Sequence, residues 1–382
     1  MKISIIHSYY AELGNSGENN VVDAQISVLM AMGHQVMIYS NSTVDEQKSK
    51  LFQLRAASNV IFGIGNNPEK DLDKFQPDVI LMHNLFPNIS TKWLEKYGPI
   101  TYSFKHNYRD ICASANLYRN KSICLKCVDG SSYNGVRFRC YKNSAIMSLP
   151  LAIRNSCNLE SRRDLTKPKK LLVLSRHMKK IMMSTGLMSE KFEVIPNFVQ
   201  VNYKDQDLIK EKNGRWIAAG RLSDDKGFRE LLQVWPEQYN LDIYGDGPLL
   251  TELNDIARTK KNIQIKGSIE RKKLLELLPE FEGGIIASRL FEPGPLIILE
   301  YLAAGLPIIS LGSWSEAAGL DEEFHIETSV NSESNESQTL KSYLLELTKN
   351  RETYSQRQRD KYLADFTPVQ WYKKFLNILS VK

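Results

Sequence analysis

The chain has 382 residues, 42% apolar and 25% charged, which is typical of a globular protein with two domains rather than of a disordered or fibrous chain. No stretch approaches the roughly 18 consecutive apolar residues of a membrane span. The apolar run at the start is too short for a signal peptide. We therefore expect a cytoplasmic chain that is neither secreted nor membrane-spanning.

Short apolar runs alternate with amphipathic segments along the whole chain. Strands are predicted at 2–7, 35–39, 58–62, 78–82, 100–104, 171–174 and 192–195, and in a second series at 215–219, 240–244, 262–265, 283–287 and 307–310. Helical spacing fills the gaps, as from Val21 to Met32, whereas Asn331 to Gln338 is typical of a surface loop. Alternating strands and helices predict parallel sheets with crossover helices, so two series predict two doubly wound α/β domains.

The domain boundary is predicted near Ile195-Pro196-Asn197, which a polar stretch follows. We expect an N-terminal domain over 1–197, a C-terminal domain over 198–365 and a C-terminal helix over 366–382. Because its apolar residues recur at helical spacing, that helix is amphipathic and is expected to pack on a domain surface, with the N-terminal domain as the candidate.

The net charge of +6 is unevenly distributed, because residues 105–180 hold 17 basic and 4 acidic side chains. This block indicates an anionic partner such as a membrane surface or a lipid-linked diphosphate. A solvated basic face is the alternative. No nucleic-acid motif with interleaved aromatic residues accompanies the charge, so we expect no nucleic-acid partner.

The segment from Ser288 to Ile309 reads as strand, loop, helix and strand, and it is the most informative part of the sequence. Pro295 suits a first helical turn, where free N–H groups form a site for phosphate. Glu292 precedes that helix and Glu300 lies within it, so both carboxylates are placed to accept hydrogen bonds from sugar or ribose hydroxyls.

Two further segments place charged or flexible residues at strand ends. Gly220 ends a strand, and Arg221 and Lys226 flank the following loop, where cations can neutralise a diphosphate. Gly245 lies in a turn that lets the backbone approach a nucleotide. Taken singly, each segment is also compatible with an ordinary loop.

Together these motifs resemble the retaining glycosyltransferases of family 4, whose GT-B fold has two Rossmann-like domains and an interdomain cleft. Glu292 and Glu300 match that family's two-glutamate motif, and Arg221 and Lys226 match its phosphate-binding pair. Near the start, Ser16-Gly17-Glu18 resembles its glycine loop, although the family often has two glycines there. The segment Gly312 to Glu316 also departs from the family's Gly-Gly pattern.

The resemblance implies a hexosyltransferase-type enzyme that moves a sugar from a nucleotide-sugar donor to a glycan or lipid-linked acceptor, without a metal for catalysis. Arg221 and Lys226 would stabilise the departing diphosphate, Glu300 would hold the ribose, and Glu292 would grip the donor sugar. The same resemblance assigns donor contacts to a set of loop and helix-start residues: Gly17, Gly220, Gly245, Gly294, Pro295 and Leu296. It also implies surface-polysaccharide or lipopolysaccharide synthesis at the inner face of a membrane.

His106 ends a strand where the family has a catalytic-site histidine, and His83 ends the neighbouring strand as a weaker candidate. His106 would contact the donor sugar or the acceptor. Other functions remain open: a GT-B-fold sugar-nucleotide epimerase and a non-catalytic nucleotide-sugar binding protein. A dinucleotide-dependent oxidoreductase is disfavoured because the first strand's loop lacks the three-glycine fingerprint.

Four of the five cysteines, Cys112, Cys124, Cys127 and Cys140, fall in an insert predicted over residues 107–142. The Cys124–Cys127 spacing is typical of zinc ligands, and four thiolates complete a tetrahedral site. A structural zinc ion is therefore one interpretation, and unliganded buried thiols or a redox role are the alternatives. Because the insert follows His106, we expect it to shape the acceptor site.

Overall fold

The computed structural model describes residues 1–10, 17–46, 51–204, 211–312, 325–326 and 333–380. The chain divides into two compact units. Unit 1 comprises Met1–Arg119, Cys124–Pro196 and Tyr372–Lys382. Unit 2 comprises Asn120–Ile123 and Asn197–Trp371.

Unit 1 is built on a parallel sheet of six strands. They are β1 (Lys2–Tyr9), β2 (Gln35–Ser42), β3 (Val79–Met82), β4 (Thr101–Lys105), β7 (Lys170–Val173) and β8 (Phe192–Val194). Two short strands, β5 (Tyr118–Arg119) in unit 1 and β6 (Ser122–Ile123) in unit 2, lie outside this sheet. The order across the sheet is β2-β1-β3-β4-β7-β8. All residues of β3 and β4 are buried, as expected for central strands covered on both faces.

The helices of unit 1 connect these strands. They are α1 (Gly17–Ala31), α2 (Thr43–Glu46), α3 (Phe52–Phe62), α4 (Glu69–Phe75), α5 (Leu94–Tyr97), α6 (Asn134–Arg137), α7 (Ala145–Ser156), α8 (Arg163–Thr166) and α9 (Arg176–Met182). The strand predicted at 58–62 is wrong, because these residues form the last turn and a half of α3. Within that run Asn59 is buried and Phe62 is exposed, so the apolar side chains do not mark a buried strand.

Unit 2 contains a second parallel sheet. Its strands are β9 (Arg215–Ala219), β10 (Asn240–Tyr244), β11 (Ile263–Gly267), β12 (Gly283–Ile286), β13 (Ile308–Leu311) and β14 (His325–Ile326). The order β11-β10-β9-β12-β13-β14 is the Rossmann arrangement, with the first strand of the unit at the centre. The second predicted series of strands is thereby confirmed at every position.

Helices cover both faces of the second sheet. They are α10 (Phe228–Val234), α11 (Leu250–Ala257), α12 (Arg271–Leu277), α13 (Leu296–Ala303), α14 (Glu333–Lys349) and α15 (Arg351–Asp365). The last helix, α16 (Pro368–Ser380), belongs to unit 1 from Tyr372 onward. Trp216 and Ala218 of β9 belong to one hydrophobic core, and Ile217 between them belongs to another. This alternation shows that the sheet is packed on both sides.

Two further predictions concern segments near the C-terminal end of the chain. The surface loop predicted from Asn331 to Gln338 is wrong from residue 333 onward, because α14 begins there. Within unit 1, the hydroxyl of Tyr372, which lies on α16, is 2.7 Å from His34 Nε2. No helix among the described residues is both long and apolar enough to cross a membrane.

Candidate active site

The central strands of unit 2 place the predicted donor-binding residues at one edge of the sheet. In open parallel sheets, ligands bind beyond the carboxyl ends of the strands, at the point where the strand order reverses. Here that point lies between β9 and β12, which are neighbours in the sheet. Gly220 and Arg221 follow β9, and the loop that carries Glu292 follows β12, so both predicted loops begin at this point.

Lys226 and Glu292, 66 residues apart, form an ion pair between Nζ and Oε1. The hydroxyl of Ser288 donates a second hydrogen bond to the same carboxylate oxygen at 2.6 Å. Burial acts to lower the pKa of Lys226, but the adjacent carboxylate outweighs it, and the pKa is raised. Lys226 is therefore held as a cation. The nearby positive charge of Arg221 acts in the opposite direction and lowers the pKa of Lys226.

The helix α13 begins at Leu296, with Pro295 as its extended N-terminal cap, so Pro295 lies one residue before the position that the sequence indicated. The side-chain amide of Asn197 donates to the Gly294 carbonyl at 2.8 Å and so holds the loop before this helix. Glu300 is buried on α13 and accepts a hydrogen bond from Arg271 Nε at 2.7 Å. The Asn197 and Arg271 contacts carry no local sequence signal and were missed.

Gly245 and Gly220 allow two loops to approach each other at this edge. Gly245 has φ +150°, and a Cβ built on it would lie 1.9 Å from the Gly220 carbonyl oxygen. A side chain at position 245 would therefore push the backbone that leads into Arg221.

In unit 1, three histidines cluster at the carboxyl ends of the central strands. His106 follows β4 and His83 follows β3, and His83 Nδ1 lies 2.8 Å from His106 Nε2. The rings of His7 and His83 are 6.0 Å apart. Burial, together with the positive charge of Lys105, lowers the pKa of His106 to about 3, and burial also lowers the pKa of His83 and His7.

His106 and His83 line a cavity of about 440 Å³ within unit 1. Glu18, Asn107 and Arg109 line the same cavity. The carboxylate of Glu18 accepts a hydrogen bond from the Tyr10 hydroxyl at 2.8 Å. Gly17 is the first residue of α1 and precedes Glu18, so it stands beside this cavity.

A buried ion-pair network forms part of the cavity wall. Asp110 pairs with Lys105 at 3.0 Å and with Arg154 at 2.9 Å. Arg162 lies 3.2 Å from Asp110 and 3.3 Å from Asp164, which also pairs with Arg154. Three basic residues of the block that the sequence assigned to a partner are thus paired inside the fold. The network was missed because its members lack regular spacing.

The four insert cysteines, Cys112, Cys124, Cys127 and Cys140, line one small cavity of about 10 Å³. Burial first, and then the neighbouring cysteines, raise the pKa of Cys127 to about 11. Within the described ranges, however, no group of three or more His, Cys, Asp or Glu side chains is arranged to hold a metal ion. The zinc site therefore stays a prediction.

Two predicted features lie outside the described residues: Ser16 of the glycine loop and the departure at residues 313–316. Of the other predicted donor residues, unit 2 places Gly220, Arg221, Lys226 and Glu292 around one edge of its sheet, with Gly294 and Pro295 in the loop that continues to α13. Glu300 is engaged with Arg271.

Residues 200–362 match the family model described as glycosyl transferases group 1. The match supports a group 1 glycosyltransferase. No curated protein matches the sequence significantly.

Solved structures of glycosyltransferases share the fold of the whole chain. One from Rickettsia africae ESF-5 superposes with a TM-score of 0.65 at 16% identity, and covers 100% of both chains. HepE (Alr3699) of Anabaena, in complex with UDP, superposes with a TM-score of 0.62 at 15% identity, and 100% of both chains is covered. WaaB, a lipopolysaccharide outer core galactosyltransferase, gives 0.61 at 15% identity with 99% of both covered. The chain thus has the GT-B fold, with two Rossmann-like domains.

Proposed function

We propose that this protein is a retaining glycosyltransferase of family 4 that transfers a hexosyl group from a nucleotide-sugar donor to a glycan or lipid-linked acceptor. The observation that carries the proposal is the Lys226–Glu292 pair at the strand-order reversal of unit 2, within the region that matches group 1 glycosyltransferases. A cation and a carboxylate at this point suit the two ends of an activated sugar, its diphosphate and its hydroxyls.

In the reaction, the bond between the anomeric carbon and the diphosphate oxygen breaks. The acceptor oxygen forms the new bond to that carbon, and its proton passes to the departing diphosphate. Lys226 and Arg221 would stabilise the negative charge that develops on the leaving diphosphate. Glu292 would accept hydrogen bonds from the donor sugar, and Glu300 from the ribose. His106, kept neutral by its lowered pKa, would offer a ring nitrogen to the sugar or the acceptor.

Retention of the anomeric configuration and a place in surface-polysaccharide or lipopolysaccharide synthesis belong to the same proposal. The family resemblance supports retention. WaaB, named as a lipopolysaccharide outer core galactosyltransferase, supports the pathway class, and HepE in complex with UDP supports a nucleotide-sugar donor. No metal is proposed for catalysis.

We also propose peripheral contact with the cytoplasmic face of a membrane. Leu54 and Phe62 on α3 and Ile146 on α7 are exposed apolar side chains, and these two helices pack together in unit 1. Exposed basic residues precede α7 at Arg139 and Lys142. Apolar side chains next to cations suit an anionic bilayer. Flotation with phosphatidylglycerol vesicles, compared with phosphatidylcholine vesicles, tests this; equal recovery with both contradicts it.

The activity is tested with UDP-, GDP- and ADP-sugars, first by thermal shift and then by transfer to candidate glycan acceptors. We expect one nucleotide class to raise the melting temperature. NMR of the product then reports whether the anomeric configuration of the donor is kept. A chain that binds no nucleotide-sugar contradicts the proposal, and an inverted product contradicts retention.

A further inference from the structure

The cavity of unit 1 has an excess of positive charge that the fold itself does not neutralise. In the buried network three cations, Lys105, Arg154 and Arg162, face two carboxylates, Asp110 and Asp164, which leaves one formal positive charge in the wall. Towards the rim, Arg163 and Lys167 both pair with Glu95, at 2.9 and 2.6 Å, and Glu160 also lines the cavity, so these four side chains add no net charge.

Arg109 adds a cation of a different kind. Its guanidinium lies 4.4 Å from the ring centroid of Phe86 and 5.6 Å from that of Tyr141. Its Nη1 is buried without a hydrogen-bond partner, and no carboxylate of the described residues forms an ion pair with it. Burial lowers the pKa of Arg109, and the opposing effects of Tyr141 and Glu18 are smaller.

A guanidinium nitrogen that is buried without a hydrogen-bond partner is costly unless another group satisfies it. Aromatic rings orient a guanidinium and leave its N–H edge available, so this arrangement is suited to a planar or tetrahedral oxyanion. Arg109 lines the same cavity as His106, and the cavity of about 440 Å³ has the size of a ligand site.

Glu18 is the carboxyl group that faces Arg109 across this cavity. Its Oε2 accepts a hydrogen bond from Tyr10, whereas its Oε1 is buried without a partner. Burial raises the pKa of Glu18, and the charges of His7 and Arg109 act against this rise. The unpartnered Oε1 of Glu18 can contact a hydroxyl of a bound ligand.

We infer that the cavity of unit 1 binds the acceptor by an oxyanion, a phosphate or a carboxylate, and that Arg109 is the residue that holds it. This inference rests on the proposed function, because it names the acceptor class of that enzyme. It restricts the acceptors to sugars or sugar-lipids that carry an anionic group near the hydroxyl that is glycosylated.

The inference is tested by calorimetric titration with two probes, methyl phosphate and glucuronate. The full chain with Arg221→Ala and Lys226→Ala serves as the parent, so that the donor-side cations do not contribute. We expect saturable binding of at least one probe, weakened about tenfold or more by Arg109→Met, because hydrogen bonds between charged groups are lost. The probe that binds more tightly distinguishes a phosphate from a carboxylate.

The matched control is Arg119→Met, because the Arg119 guanidinium also lies over an aromatic ring, 4.0 Å from the Phe138 centroid, but does not line this cavity. Binding should be unchanged in this variant. If Arg109→Met does not fold, Tyr141→Leu removes one ring that orients the guanidinium and should weaken binding severalfold. Absence of saturable binding, or the same affinity after Arg109→Met, overturns the inference. Donor binding by the intact chain is measured in a separate experiment. A failure of the proposed function is therefore distinguishable from a failure of this inference.

Discussion

His83 Nδ1 lies 2.8 Å from His106 Nε2, and the two rings are stacked with an interplanar angle of 19°. One nitrogen must donate and the other must accept, so the pair requires that the accepting ring be neutral at that nitrogen. Both histidines also have lowered pKa values, because both are buried. The cavity of unit 1 is thus built around imidazoles that remain uncharged at neutral pH.

The histidine pair predicts that stability falls as the pH drops. In the unfolded chain a histidine binds a proton near pH 6.5, whereas folded His106 binds one only near a pKa of about 3. The unfolded state therefore binds more protons between these values, and the free energy of unfolding decreases from pH 7 to pH 5, by at most about 2 kcal/mol for His106.

Urea titrations at pH 7 and pH 5 measure this effect, and His106→Gln isolates it, since the variant lacks the titrating ring. The variant should lose less stability between the two pH values than the unchanged protein. The raised pKa of Glu18 acts in the opposite direction in both chains and cancels in the difference. An identical pH dependence in both chains contradicts the prediction.

The fold and the meeting of Lys226 with Glu292 were largely predictable from the sequence, because both follow from strand topology. Glu292 and Lys226 meet because each follows a strand, and β9 and β12 are neighbours in the sheet. The run at 58–62 was misassigned because a short apolar segment has no period that distinguishes strand from helix. The sequence also did not show which basic residues of the block 105–180 form ion pairs inside the fold. Arg154 and Asp110 are 44 residues apart and lie outside the sheet, and no pattern in the sequence pairs them.

The Lys226–Glu292 pair predicts that the donor cation contributes to transfer rather than to the overall fold. Lys226→Ala should reduce kcat/KM for the donor by about 100-fold, as expected when one group that stabilises developing charge is removed. The variant should remain folded, since Ser288 still donates to Glu292. Arg229→Ala is the control, because Arg229 is three residues along the chain and pairs with Asp224 and Glu252 instead. A similar loss in both variants contradicts a specific role for Lys226.

Glu300 leads to a prediction about the nucleoside. If Glu300 binds the ribose, Glu300→Gln should weaken the nucleoside diphosphate about tenfold, because a charged acceptor becomes neutral. Inorganic pyrophosphate lacks the ribose, so its affinity should stay within about twofold. Arg271→Gln removes the partner at 2.7 Å and is the companion variant that reports on positioning alone. Equal losses for both ligands in Glu300→Gln contradict a ribose contact.

In unit 2 the loops that contain Gly245 and Gly220 approach each other closely, and a substitution of Gly245 tests this contact. Gly245→Ala should destabilise the protein by more than Gly267→Ala, although both positions have positive φ. At Gly267 nothing lies within 4 Å of the added Cβ, so the cost is that of the backbone conformation alone, about 1–2 kcal/mol. At Gly245 the Gly220 carbonyl must also move. We therefore expect Gly245→Ala, but not Gly267→Ala, to weaken donor binding. Equal stability and equal donor affinity in the two variants contradict the prediction.

The four insert cysteines provide the last prediction, that of a bound zinc ion. Their side chains line one small cavity. We expect about one equivalent of zinc per purified chain, reduced to less than about half by Cys127→Ser. Chelation should then expose the four thiols to alkylation, while Cys157, which is exposed, should react before and after chelation and serves as the internal reference. A chain without zinc, whose four thiols show the same reactivity before and after treatment with the chelator, contradicts the prediction and holds unliganded thiols.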